Sequence, residues 1–178
     1  MDKNELGLLL KAVAFAAEKH RLQKRKDVEA SPYINHPVAV ASTLFHEGGV
    51  TDVRALCAAL LHDTIEDTQT TPEELEQHFG REIKDIVLEV TDDKSLDKRV
   101  RKQLQIDHAS ELSLAARLVK LGDKICNLKD VADSPPAKWD LRRRQEYFDW
   151  AQRVVDQIRG TNAGLEAAFD AAYARRPQ

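Results

Sequence analysis

The apolar residues of this chain recur mostly at steps of three and four, which is the spacing of one face of an α-helix. This pattern predicts a first amphipathic helix over residues 5 to about 22. It is clearest in a later segment, at Leu114, Leu118, Leu121, Ile125 and Leu128. No segment shows the strict alternation of a strand of useful length. The sequence therefore predicts an all-α fold, a helical bundle that forms a single domain over residues 1–178.

Residues that favour helix ends set the boundaries of the other predicted helices. Pro37 suits the first position of a helix that stops at Gly48–Gly49, and Thr51 is the predicted N-cap of a helix that runs to about residue 66. In TPEELEQHFG, Thr71 is the predicted N-cap and Glu74 closes a capping box. The remaining helices are predicted around residues 83–90, 96–108, 141–159 and 162–174.

The helix that follows Thr51 ends on acidic residues, which helix C-termini usually disfavour. Its seven successive non-polar residues, Ala55 to Leu61, point in every direction around the axis, which is typical of a buried helix. It then ends on His62, Asp63, Glu66 and Asp67, although a helix C-terminus favours cations. Burying carboxylates costs several kcal/mol unless they are paired or hold a metal. The segment therefore indicates either a metal site or a solvated acidic helix end.

Two residues elsewhere in the chain extend the metal hypothesis. His36 precedes a proline and is therefore expected at the start of a helix, with its ring projecting from the helix end. Asp123 lies opposite the leucine stripe of its helix, on the face that carries Asn127. Each residue alone also fits an ordinary surface position. Together with His62 and Asp63 they form a mixed nitrogen–oxygen set suited to Mn²⁺, Fe²⁺, Zn²⁺ or Mg²⁺.

Composition restricts the class of protein. With 178 residues, 42% hydrophobic and 32% charged, the chain is typical of a globular domain. Its formal net charge of −3 gives no general attraction to nucleic acid or anionic membranes. Cys57 and Cys126 fall in helical patterns without metal-finger spacing, which favours a reducing compartment. We therefore expect a cytoplasmic protein without a nucleic-acid or membrane partner. Local basic runs such as DKRVRK leave room for binding a phosphorylated small molecule, and the oligomeric state stays open.

The sequence also resembles a known family. The order of His36, the His62–Asp63 pair and Asp123 is similar to that of the HD superfamily of metal-dependent phosphohydrolases. The resemblance is strongest to the hydrolase domain of RelA/SpoT-type alarmone enzymes, in the small stand-alone form found in metazoans. It is carried by five segments, YINHPVAVA, AALLHDTIEDT, VTDDKSLDK, LVKLGDKICNLKD and EYFDWAQRVV. It covers about residues 5 to 170 and implies a single HD-type hydrolase domain.

The resemblance implies roles for twelve residues. The implied metal ligands, with Mn²⁺ the usual ion and other divalent metals possible, are His36, His62, Asp63 and Asp123. The pair implied to position and activate the attacking water is Glu66 and Asp67. The implied substrate-binding residues are Arg25, Lys26, Tyr33, Lys98, Asn127 and Tyr147. Arg25 is expected at the base and Lys26 at its polar edge or at the phosphates. Gly122 stands where the family usually has alanine; both residues are small, so this departure puts little of the resemblance in doubt.

The implied reaction removes the 3′-pyrophosphate from guanosine tetra- or pentaphosphate, (p)ppGpp, giving GDP or GTP and pyrophosphate. Long members of the family also carry a synthetase region, for which 178 residues leave no room, so we expect degradation alone. Two alternatives stay open at this point. One is another HD phosphohydrolase activity, such as 2′-dephosphorylation of NADPH. The other is a non-catalytic metal-binding helical protein, which the intact Glu66–Asp67 pair argues against.

Overall fold

Helices joined by short loops make up the computed structural model, which describes residues 2–178. The α-helices are α1 (Lys3–Lys19), α2 (Asn35–His46), α3 (Val53–Leu61), α4 (Thr64–Asp67), α5 (Pro72–Phe79), α6 (Arg81–Val90), α7 (Lys98–Asp107), α8 (Leu114–Asp133), α9 (Leu141–Asp156) and α10 (Ala163–Tyr173). A 3₁₀ turn, Ala109–Glu111, precedes α8. Residues 2–178 contain no β-strand, although Lys24 and Pro32 form an isolated bridge. The all-α prediction is confirmed.

The prediction of one continuous helix to about residue 66 is wrong. The α-helix stops at Leu61, and a separate short helix begins at Thr64. Two side chains at the break bond to the last carbonyl groups of α3. His62 Nδ1 lies 2.8 Å from the carbonyl oxygen of Ala59, and Thr64 Oγ1 donates to the carbonyl oxygen of Leu61 at 2.7 Å. The break places His62 and Asp63 at a corner between two helices.

One predicted cap and one predicted capping box differ from the structure. The N-cap of α3 is Asp52 and not Thr51, since the Asp52 carboxylate accepts a backbone hydrogen bond from the first turn. Thr71 does cap α5, where its hydroxyl accepts from the backbone N–H of Glu74 at 3.2 Å. The Glu74 carboxylate, however, forms a 2.6 Å ion pair with Lys19 of α1. A tertiary contact has taken the place of the capping box.

The centre of the fold is α3. All seven residues from Ala55 to Leu61 are buried, which agrees with the prediction of an apolar helix enclosed on every side. Helices α1, α2, α6 and α8 pack around it. Helices α1, α2 and α6 each present one face to the core and the other to solvent, as the spacing of their apolar residues indicates, whereas no residue of α8 between 115 and 132 is exposed. No helix within residues 2–178 is both long and apolar enough to cross a membrane.

Helices α2 and α8 approach closely at Gly122. A Cβ atom added there would overlap Cδ1 of Leu44 and lie 3.1 Å from Cγ1 of Val40. Leu44 and Val40 are fully buried, so neither side chain moves aside without disturbing its neighbours. Alanine, which the family usually has at this position, would therefore require Leu44 to shift in this chain. The close approach brings Asp123, the next residue on α8, toward the start of α2.

Candidate active site

Three elements bring the four predicted metal ligands together. His36 lies in the first turn of α2, His62 and Asp63 form the corner after α3, and Asp123 lies in the middle of α8. Nε2 of His36 is 3.2 Å from Oδ1 of Asp123 and 3.8 Å from Oδ2 of Asp63. Nε2 of His62 is 3.2 Å from Oδ2 of Asp63 and 3.8 Å from Oδ1 of Asp123. Both histidines are buried, at 4% and 5% exposure.

These distances fit a single divalent ion. Ligands bound at about 2.1 Å to one ion lie about 3.0–3.5 Å from one another, close to the separations within this cluster. His36, His62 and Asp123 each offer a ligand atom within 4.8 Å of the others, and the Asp63 carboxylate approaches both imidazoles. Two imidazoles and two carboxylates are also the donor types that suit Mn²⁺, Fe²⁺ or Zn²⁺.

His62 is oriented as a metal-binding histidine usually is. Its Nδ1 lies 2.8 Å from the carbonyl oxygen of Ala59, so Nδ1 carries the proton and Nε2 keeps a lone pair. Nε2 is buried without a hydrogen-bond partner, although carboxylate oxygens stand nearby. An unpartnered buried nitrogen is costly, and a bound cation would satisfy it. The side chains present therefore fit a divalent metal.

Each carboxylate in the cluster has its own supporting donors. The hydroxyl of Tyr33 donates to Oδ2 of Asp63 at 2.6 Å. Nζ of Lys124 donates to Oδ2 of Asp123 at 3.0 Å, and Nδ2 of Asn127 donates to its Oδ1 at 2.5 Å. Burial alone would raise the pKa of Asp123, but the positive charge of Lys124 holds this pKa well below its usual range. The Asp123 carboxylate is therefore ionised at neutral pH.

Glu66 and Asp67 have different surroundings. Glu66 lines a cavity of about 190 Å³ together with the metal-ligand cluster, and its Oε2 accepts from the backbone N–H of Asp92 at 3.2 Å. Burial, with Asp63 adding to it, raises the pKa of Glu66. Asp67 is not among the residues that line this cavity. Its carboxylate accepts from Gln23 at 2.9 Å and pairs with Lys94.

Four of the six predicted substrate-binding residues line one of two neighbouring cavities. Tyr33, Asn127 and Tyr147 line the same cavity as the metal-ligand cluster. Lys98 is the first residue of α7 and lines a neighbouring cavity of about 520 Å³. Tyr147 lines both cavities and therefore forms the boundary between them.

The other two predicted substrate residues, Arg25 and Lys26, lie in the loop between α1 and α2. The Arg25 guanidinium forms an ion pair with Asp130 and lies 5.5 Å from the centre of the Tyr33 ring. The carbonyl of Lys26 accepts from the backbone N–H of Ala137 at 3.1 Å, while its side chain is exposed. The structure thus brings Arg25 beside Tyr33 and leaves Lys26 at the surface.

The larger cavity is both cationic and aromatic. Nζ of Lys102 lies 4.5 Å from the ring centre of Trp150 and 5.4 Å from that of Tyr147. The guanidinium of Arg143 lies 4.7 Å from the ring centre of Trp139. Burial, with Lys98 adding to it, lowers the pKa of Lys102 to about 8. Such a cavity attracts anions, and its rings offer flat faces to a planar group.

Sequence reasoning missed several residues of the site. Lys120 and Lys124 are buried beside Asp123, although the pattern of α8 placed its polar face toward solvent. Trp150 also lines the first cavity, and its ring centre lies 4.3 Å from Nζ of Lys124. Lys120 donates to the carbonyl of Val90 and Lys124 contacts Trp150, and both partners lie far away in the sequence. The one local signal was the spacing of the two lysines. Residues three or four apart on a helix lie on the same face, and this face also carries Asn127.

Comparison with known proteins identifies the family. The HD domain family matches residues 12–149. The chain belongs to this family. A guanosine-3′,5′-bis(diphosphate) 3′-pyrophosphohydrolase MESH1 from Xenopus tropicalis is 56% identical to it over 167 residues, which are 94% of this chain and 93% of the relative. The human protein of the same name is 52% identical over 173 residues, 97% of each chain.

A solved structure supports the same placement. The structure of a metazoan ortholog of SpoT that hydrolyzes ppGpp matches with a TM-score of 0.92 at 46% identity, covering 95% of both chains. The predicted resemblance to small stand-alone RelA/SpoT-type HD hydrolases is therefore confirmed. The all-α HD bundle is the fold of this chain.

Proposed function

We propose that this chain is a guanosine-3′,5′-bis(diphosphate) 3′-pyrophosphohydrolase, which hydrolyses (p)ppGpp to GDP or GTP and pyrophosphate. The observation that carries the proposal is the juxtaposition of the two cavities. The four-ligand cluster opens into one of them, and Tyr147 joins this cavity to the cationic one. A nucleotide with phosphate groups at two separate positions matches that arrangement. The names of the HD relatives support guanosine-3′,5′-bis(diphosphate) as the substrate.

The proposed metal is Mn²⁺, held by His36, His62, Asp63 and Asp123. When bound it would polarise a phosphoryl oxygen and lower the pKa of water at the site. The mixed imidazole and carboxylate donors support a choice among Mn²⁺, Fe²⁺ and Zn²⁺, and the family resemblance favours Mn²⁺.

Glu66 is the proposed proton acceptor for the attacking water. Its carboxylate faces the cavity of the metal-ligand cluster, and burial raises its pKa toward the range where a general base works best. Asp67 completes the proposed catalytic pair by orienting the water. Lys124, buried beside Asp123, adds positive charge where negative charge develops on the pyrophosphate.

The substrate is proposed to span both cavities. The 3′-pyrophosphate would lie against the cluster, while Lys98, Lys102 and Arg143 would bind the 5′-phosphates. Tyr147 and Asn127 would line the ribose region between them. Arg25 is proposed to stack on the guanine. A planar guanidinium can stack on a purine ring while it also pairs with a carboxylate, here that of Asp130. Lys26 is proposed to bind the polar edge of the guanine or the phosphates.

Product analysis tests the proposal directly. Purified protein with Mn²⁺ should release pyrophosphate from ppGpp, leaving GDP, and the Glu66→Gln variant should not. The value of kcat/KM for ppGpp should exceed that for NADPH, measured as 2′-phosphate release. A preference for NADPH, or no pyrophosphate from ppGpp, contradicts the alarmone assignment while leaving a metal-dependent phosphohydrolase in place.

The role of the cationic cavity has its own test. Lys102→Met should raise KM for ppGpp about tenfold, since one charge-assisted phosphate contact contributes roughly 1.5 kcal/mol. Lys138→Met, at an exposed position outside both cavities, is the matched control. An unchanged KM in Lys102→Met contradicts binding of the 5′-phosphates in this cavity.

The proposal also covers the setting of the enzyme. We take residues 1–178 as one HD-type hydrolase domain with a nucleotide as its partner. The cytoplasm is the proposed compartment, because Cys57 and Cys126 are both free thiols and disulfides are rare in reducing compartments.

A further inference from the structure

Two residues outside the predicted site, His20 and Gln23, connect the N-terminal part of the chain to Asp67. Nε2 of Gln23 donates to Oδ2 of Asp67 at 2.9 Å, and Oε1 of Gln23 lies 2.7 Å from Nδ1 of His20. We propose that His20 and Gln23 form a hydrogen-bonded relay that positions the Asp67 carboxylate for catalysis. The inference rests on the proposed function, which assigns Asp67 to the reaction.

The direction of the relay follows from the donors available. An ionised carboxylate only accepts hydrogen bonds, so Gln23 presents its NH₂ group to Asp67. Its carbonyl oxygen therefore faces His20, which must donate from Nδ1. The other ring nitrogen of His20 is buried without a partner. An orphaned N–H is rarer in protein interiors than an acceptor without a donor, so we place the proton of His20 on Nδ1.

The opposite tautomer would reverse the relay. If Nε2 of His20 carried the proton, Nδ1 would accept from the Gln23 amide, and the carbonyl oxygen of Gln23 would face the Asp67 carboxylate. Two acceptors would then meet without a proton between them. The tautomer of His20 thus determines whether Asp67 receives a hydrogen bond.

The surrounding structure holds the relay in place. His20 is 2% exposed, and its ring packs on Tyr33 with centres 4.9 Å apart and planes inclined by 31°. The backbone N–H of Gln23 donates to the carbonyl of His20 at 2.9 Å, and the carbonyl of Gln23 accepts from the N–H of Tyr33 at 3.1 Å. Gln23 is therefore fixed by its backbone as well as by its side chain.

The relay acts on the orientation of Asp67. A carboxylate has about four acceptor sites. The bond from Gln23 to Oδ2 and the ion pair of Lys94 with Oδ1 define its plane and leave sites for water. Neither His20 nor Gln23 lines the cavity of the metal-ligand cluster. Loss of the relay should therefore lower kcat and leave KM and metal affinity near their original values.

Two substitutions of His20 separate hydrogen bonding from packing. His20→Phe keeps a ring against Tyr33 but removes the donor. His20→Asn loses the ring but places an amide N–H near the position of Nδ1. We expect His20→Phe to lower kcat for ppGpp by 10- to 30-fold, with KM and Mn²⁺ affinity changed less than threefold. His20→Asn should retain at least a third of kcat. The reverse order, with phenylalanine more active than asparagine, assigns His20 to packing and overturns the relay.

Gln23→Met tests the second member of the relay. It keeps the length of the side chain and removes both polar groups, so kcat should fall as in His20→Phe. Gln69→Met, at an exposed position, is the matched control and should leave kcat unchanged. Circular dichroism and thermal unfolding confirm that each variant is folded. A folded Gln23→Met protein with the kcat of the parent contradicts the proposal.

A spectroscopic readout is independent of activity. In protein labelled with ¹⁵N-histidine, the long-range proton–nitrogen spectrum distinguishes the two neutral tautomers, and His20→Phe identifies the resonance. The Nδ1–H form is expected, and the Nε2–H form overturns the relay. If the parent protein releases no pyrophosphate from ppGpp, the proposed function fails, while this spectrum still decides whether the relay exists.

Discussion

The hydroxyl of Tyr33 donates a 2.6 Å hydrogen bond to Oδ2 of Asp63. Burial, with the charge of Asp63 adding to it, raises the pKa of Tyr33 far above its usual value, so the hydroxyl stays a donor at any ordinary pH. Donors of this kind orient a metal-binding carboxylate, and their loss typically weakens metal binding 10- to 100-fold. The Tyr33→Phe variant should therefore bind Mn²⁺ about tenfold more weakly in a calorimetric titration.

Tyr173→Phe is the matched control for this prediction. Its hydroxyl also donates to a carboxylate, that of Asp149 at 3.3 Å, but at the surface and away from the cluster. Its Mn²⁺ affinity should equal that of the parent protein. Equal affinities in all three proteins would show that Tyr33 does not support the metal site.

Removal of Asp63 should empty the proposed metal site. The Asp63→Ala variant loses one carboxylate that approaches both imidazoles, and elemental analysis after dialysis should find less than about a tenth of the metal in the parent protein. Asp107→Ala, at an exposed position on α7, should retain the full content. Metal content that is equal in the two variants removes Asp63 from the site.

The raised pKa of Glu66 predicts a pH-dependent gain in stability when its charge is removed. Between the ordinary value of 4.5 and the raised value in the folded protein, the folded state binds more protons than the unfolded state. The free energy of unfolding of the parent protein therefore falls as pH rises through that window, and the loss persists at higher pH. Glu66→Gln does not titrate and should become the more stable protein.

Denaturant unfolding at pH 4 and at pH 7, with the metal removed by chelation, measures this difference. The two proteins should be nearly equal at pH 4, and Glu66→Gln should be more stable at pH 7. Glu111→Gln, at an exposed position, is the control. If Glu66→Gln is no more stable than the parent protein at pH 7, burial does not disfavour the Glu66 charge.

Gly122→Ala should destabilise the fold, although alanine favours helix. The added methyl group would overlap Cδ1 of Leu44, and overpacking of a core typically costs about 1–3 kcal/mol. The gain in helix propensity, up to about 1 kcal/mol, offsets part of this cost. We expect a net loss of about 1–2 kcal/mol in the free energy of unfolding, measured with urea.

Gly7→Ala provides the matched comparison, since it also lies within a helix but has no atom within 4 Å of the added Cβ. It should gain about 0.5–1 kcal/mol. A second substitution, Leu44→Ala in the Gly122→Ala background, should cost less than Leu44→Ala alone, because the cavity that it creates accommodates the methyl group. Equal costs in the two backgrounds would contradict the close approach of α2 and α8.

The sequence by itself determined the fold class and the family. The apolar spacing predicted the helices because a helix with one buried face must repeat at about 3.6 residues. Seven successive non-polar residues predicted that α3 is enclosed, and the structure confirms that Ala55–Leu61 is buried. Motif order supplied the HD assignment and the four candidate ligands, because imidazole and carboxylate groups are donor types that suit such a divalent metal.

Tertiary structure decided everything that depends on which helices meet. No local pattern distinguishes buried Lys124 from a solvated lysine, because its burial comes from Trp150 of α9 and from the packing around Asp123. The break after Leu61 arises when the His62 and Thr64 side chains bond to the final carbonyls of α3. Periodicity records which face of a helix is apolar, and it carries no information on the partner that covers that face.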